Sequence, residues 1–150
     1  MLKMPHGMNK FVGILFFLSV LWLPLSGATQ NVDTLDLDSY MEELSPRCPY
    51  DVGDGWTIDS LAAVGDTVVI QLMTPNALRG FLPMLTEDNL NTKRLWLNYL
   101  FDYGDEWKTL MKLIKREGKS LKLLLLPNDS SDSECVFVSN EDFGTILANN

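Results

Sequence analysis

Histidine is almost absent from this chain. The single copy, His6, lies near the start, inside a stretch with the marks of a removable leader. Without histidine, Ser-His-Asp and Cys-His catalysis lose their base, and histidine-ligated zinc is excluded. Basic side chains are also few, with 12 Lys and Arg against 20 Asp and Glu. There is no Gly-rich phosphate loop, no paired-cysteine metal cluster and no nucleophile elbow. No apolar run reaches the roughly 20 residues that a membrane-spanning helix needs.

The longest such run, Phe11 to Leu23, is about 13 residues. Lys3 and Lys10 precede it, and small Ser26 and Ala28 follow Pro24. This is the three-part pattern of a secretory signal peptide, residues 1–28, cleaved after Ala28. No cysteine follows the run directly, so the signal for bacterial lipid attachment is missing. The expected compartment is the periplasm or the cell exterior. Residues 29–35 are expected to be flexible, and 36–150 to form one domain.

Cleavage removes two lysines and no acid, leaving ten basic and twenty acidic side chains, a formal charge of −10. Such a surface repels phosphate backbones and anionic lipid. Nucleic acid and membranes are therefore not expected partners of the mature chain.

Cys48 and Cys135 are the only cysteines. In an oxidising compartment an even count points to pairing, so a Cys48–Cys135 disulfide is expected. A loop of that length would restrict the unfolded chain by roughly 4–5 kcal/mol in the entropic account. A thiolate role is disfavoured, because Asp51 and Asp54 oppose the one nearby cation, Arg47.

The hydropathy pattern gives the order α-ββ-αα-ββ-α. "DLDSYMEEL" forms a short helix, ended by Pro46 and Pro49. "GWTIDSLAAVGDTVVIQLMT" reads as a hairpin turning at Gly65-Asp66. "TPNALRG" is a loop. Thr86 is the expected N-cap of a helix that places Leu90, Leu97, Leu100 and Phe101 on one face. Trp107, Leu110, Met111 and Ile114 recur at helical spacing in the next segment, which Gly118 stops. Leu121, Leu123 and Leu125 share one face of a strand, and "ECVFVS" returns beside it with Cys135 and Phe137 inward. Ser139 and Asp142 form a capping box for a last helix. The expected class is α+β: an antiparallel sheet of about four strands with helices mainly on one face. Val69, Met73, Leu124, Leu126, Val136 and Val138 then fall on the opposite face. A face so apolar calls for a cover, either a terminal helix or a partner, including a second copy of the chain.

Three clusters carry chemistry in principle. Asp51 and Asp54 could act as paired carboxylates, which glycoside hydrolysis needs roughly 5–10 Å apart; Asp and Gly in a turn is the plainer reading. Asn128, Ser130, Asp132 and Glu134 alternate oxygen ligands as a calcium loop does, but lack the central glycine and distal glutamate. Asn128-Asp129-Ser130 also matches the N-glycosylation sequon. Trp96, Tyr99 and Tyr103 are the aromatic candidates for binding. No cofactor is implied.

Cys48-Pro49 after a short acidic helix, then the Gly-Trp hairpin, two helices and a closing hairpin, resembles a loose set of short exported bacterial proteins of unknown function. The resemblance spans Cys48 to about Leu147, and Cys135 is not part of its pattern. It implies export and an α+β module, without catalytic residues. The leading reading is a non-catalytic exported binding module stabilised by a disulfide. A small hydrolase and a calcium-dependent glycan binder are the alternatives.

Overall fold

A computed structural model describes residues 32–128 and 133–148. Val32–Thr34 form a 3-10 turn, and the exposed Arg116 guanidinium donates to the carbonyls of Val32 and Leu35. Helix α1, Leu37–Leu44, follows. Its N-cap Asp36 accepts from the Ser39 N–H at 3.0 Å, and Leu37, Tyr40, Met41 and Leu44 are buried.

Five strands make one sheet in the order β1-β2-β3-β4-β5: Tyr50–Gly53, Trp56–Val64, Thr67–Thr74, Ser120–Pro127 and Glu134–Val138. All neighbours are antiparallel except β3 and β4, which run parallel with Thr67 opposite Ser120. The sheet is therefore mixed, with five strands instead of about four antiparallel ones. Short connections join the antiparallel neighbours, but the link from β3 to β4 is a long helical crossover, the connection parallel strands require. The extra strand, β1, is a short edge piece before the Gly53-Asp54-Gly55 turn.

The crossover carries a 3-10 turn, Asn76–Phe81, and helices α2, Leu82–Leu85, α3, Leu90–Tyr103, and α4, Asp105–Arg116. The expected loop after β3 is thus partly helical. Thr86 does not cap α3; its hydroxyl donates to the Leu82 carbonyl at 2.8 Å, and Asn89 caps α3 by accepting from the Thr92 N–H. Helix α5, Asn140–Leu147, starts with the expected Ser139–Asp142 capping box.

The helices form one layer. Val68, Ile70, Leu72, Leu121, Leu123 and Leu125 alternate inward beneath it and are fully buried. A bulge at Asp59 shifts the β2 register, so Ile58 and Leu61 both reach this core. On β5 the inward pair is Val136 and Val138, opposite Leu123 and Leu121. Cys135 and Phe137, expected inward, face the other way. The sequence alternates apolar residues on both sides of β5, so its phase is fixed only by the register against β4. Val69, Met73, Leu124 and Leu126 do share the opposite face, half-buried, and Phe137 joins them at 47% exposure. No described helix covers that face.

Candidate functional site

The two thiols are free. Cys48 precedes β1 at one edge of the sheet and Cys135 sits on β5 at the other. The two edge strands are four spacings apart, roughly 19 Å at about 4.8 Å per strand, whereas a disulfide needs Cα atoms within about 7 Å. The expected intramolecular bond is therefore not formed. Nor is Cys48 an activated nucleophile. Burial pushes its thiol up from the ordinary value and Asp59 adds to the shift, while Arg47 is engaged by Glu43 and Glu106.

The paired carboxylates stand on an exposed turn. Asp51 accepts from the Gly53 N–H at 2.8 Å, and Asp54 takes the left-handed conformation at φ 53° between Gly53 and Gly55. Of the calcium-loop set, Ser130 and Asp132 lie outside the described residues; Asn128 and Glu134 are exposed. Among the described residues no three His, Cys, Asp or Glu side chains come together as a metal site would need.

The aromatic candidates divide. The Tyr103 hydroxyl donates to the Asp51 carbonyl and its ring meets Tyr50 edge-on, so it ties α3 to β1. Trp96 and Tyr99, by contrast, line an open groove of about 400 Å³ between α3 and the 3-10 turn with α2. Trp56 from β2 continues the aromatic wall. Its ring meets Trp96 edge-to-face at 5.3 Å, and Trp96 meets Tyr99 at 6.0 Å. The far wall and rim come from Leu78, Phe81, Met84 and Leu85, with Leu95 on the α3 side.

The groove presents carbon almost everywhere, for a local reason. The Trp96 indole N–H donates to the Leu85 carbonyl at 2.8 Å, and the Tyr99 hydroxyl donates to the Val52 carbonyl at 3.2 Å. Both polar handles are thus spent on backbone, and the rings of Trp56 and Trp96 are themselves almost fully buried at the groove floor. Burial raises the Tyr99 hydroxyl above its usual value, and the nearby Asp54 and Asp51 charges raise it further. These acids lie toward the hydroxyl end of Tyr99. Phe81, Met84 and Leu95 keep 53%, 61% and 57% of their surface exposed. All three line the same groove.

Sequence reasoning missed Trp56, Leu78, Phe81, Met84, Leu85 and Leu95. The signal was the helical spacing of Leu78, Phe81, Leu82 and Leu85, hidden by Gly80 and Pro83.

No known family and no curated protein matches the chain. A crystal structure from Pseudomonas aeruginosa, described as that of a "putative secreted protein", is similar at 11% identity and a TM-score of 0.49. The match covers 71% of this chain and 88% of that one. No helix among the described residues is long and apolar enough to cross a membrane.

Proposed function

We propose that the protein is an exported, non-catalytic binding module that holds an apolar segment of a partner polypeptide in the groove between α2 and α3. Export rests on Lys3, Lys10, the Phe11–Leu23 run and the small residues before the Ala28 cleavage point. The observation that carries the binding reading is a groove walled by Trp56, Trp96 and Tyr99 and rimmed by exposed Phe81, Met84 and Leu95. Its volume falls at the small end of ligand sites, about 300–1,000 Å³. With no free hydrogen-bonding group on its walls, it selects shape and apolarity, as grooves for amphipathic segments do. Met84 lends such a surface adaptability. The Asp51 and Asp54 charges near the Tyr99 hydroxyl favour a segment whose apolar residues adjoin lysine or arginine.

Trp56 and Trp96 report on occupancy directly. Titration with an apolar peptide flanked by lysines is expected to change their emission saturably, and a glutamate-flanked peptide to bind more weakly. Absence of a saturable change with either peptide rejects the reading; response to a free fatty acid alone replaces the polypeptide with a lipid cargo.

The open sheet face favours a second reading, a homodimer. Val69, Met73, Leu124, Leu126 and Phe137 make an apolar surface there that no described helix covers. Light scattering that finds only monomer at high concentration removes it.

A further inference from the structure

Three of the twelve basic side chains of this chain line one cavity. Lys93 is paired with Asp88 and Asp142, and Arg47 with Glu43 and Glu106. Lys108, Lys112 and Lys115 instead share one stripe of α4, at i, i+4 and i+7, where like charges repel. All three line a cavity of about 600 Å³ whose other walls include Phe101 and Asp102 of α3 and Leu147 of α5. Among the described residues no ion pair engages Lys112 or Lys115. The Lys108 ammonium lies 5.8 Å from the Phe101 ring centroid. Asp102 is the single carboxylate of the lining, so three ammoniums against one acid leave a local charge of +2. That surplus stands on a chain whose formal charge is −8.

We propose that this cavity binds an organic dianion of the phosphate-monoester type, with its carbon body against Phe101 and Leu147. Ammoniums are point charges suited to a tetrahedral, many-oxygen group; bidentate recognition of a planar carboxylate uses the arginine fork, and no arginine lines the site. The +2 surplus matches a doubly charged group, and the apolar patches give a body of carbon something to cover. The cavity is lined by different residues from the apolar groove, so the proposal stands or falls apart from that reading.

Calorimetric titration of the purified protein with phenyl phosphate, inorganic phosphate and vesicles containing phosphatidate tests it. Phenyl phosphate is expected to bind one per chain, more tightly than inorganic phosphate and more weakly as salt rises. Lys112→Ala and Lys115→Ala each weaken it about tenfold, the loss of one charge-assisted contact. Both lysines are exposed, so the variants keep the fold. Lys122→Ala, on the open sheet face, leaves binding unchanged. Vesicle binding lost in the same two variants identifies a lipid headgroup as the source of the phosphate; phenyl phosphate binding without it identifies a soluble one. No binding of phenyl phosphate at millimolar concentration, or undiminished binding by both variants, overturns the proposal.

Discussion

Leu95 separates binding from folding within a single helix. It keeps 57% of its surface exposed on the groove side of α3, while Leu97, two residues on, is fully buried in the core. Full burial of a leucine side chain contributes roughly 1.5–3 kcal/mol. Somewhat more than half of that remains to be gained when a partner covers Leu95, so Leu95→Ala should lose about 1 kcal/mol of binding, or roughly fivefold in Kd. Leu95→Asp sets an unpaired carboxylate against apolar surface and should abolish measurable binding. Neither change removes a core contact, so stability should stay within about 0.5 kcal/mol of the parent. Leu97→Ala should do the reverse, costing about 2–5 kcal/mol of stability. Peptide titration by tryptophan emission gives the first quantity and urea unfolding the second. A Leu95→Asp protein that binds like the parent, or that loses stability in step with affinity, refutes the reasoning.

Three further outcomes follow from the geometry. Asp142 accepts from the Ser139 N–H and from Lys93, each at 3.0 Å; burial pushes its carboxyl up, but these partners outweigh it and hold the group below the ordinary 3.8. Its stabilisation is therefore present above that value and lost as pH falls through the lowered one, so Asp142→Asn should cost about 1–2 kcal/mol at neutral pH and progressively less in acid, read by urea midpoints. Gly55 has φ +80°, and an added Cβ would lie 3.2 Å from the Pro75 ring, whereas Gly65 at φ +59° has open space. Gly55→Ala should cost at least about 1–2 kcal/mol, more than Gly65→Ala, in thermal or urea unfolding. Intact mass should not change with reductant, and alkylation should reach exposed Cys135 before Cys48, whose thiol burial pushes up; a single intramolecular bond would contradict the strand order.

What the sequence disclosed was local. Helical spacing marked α1 and α4, and Ser139 with Asp142 announced α5, because caps and periodicity depend on neighbours three or four residues apart. The Gly65-Asp66 turn likewise declared the hairpin of β2 and β3. Long-range pairing was not legible. The parallel register of β4 on β3 depends on how the crossover returns, and the inward phase of β5 on which of two apolar faces meets Leu121 and Leu123. The cysteines show the cost: an even count in an exported chain suggests a bond, but strand order sets the two thiols at opposite sheet edges. Trp96 and Tyr99 stood out as aromatics, but that α2 lies beside them, its Leu85 carbonyl accepting from the Trp96 indole, depends on a long-range contact the sequence does not show.

Photo-cross-linking with a diazirine-bearing apolar peptide, followed by mass mapping, tests the groove most directly. Labelling confined to Phe81, Met84 and Leu95 and their neighbours, and lost with Leu95→Asp, is the expected result. Labelling on Val69, Leu124 and Phe137, or none that saturates, would contradict the account.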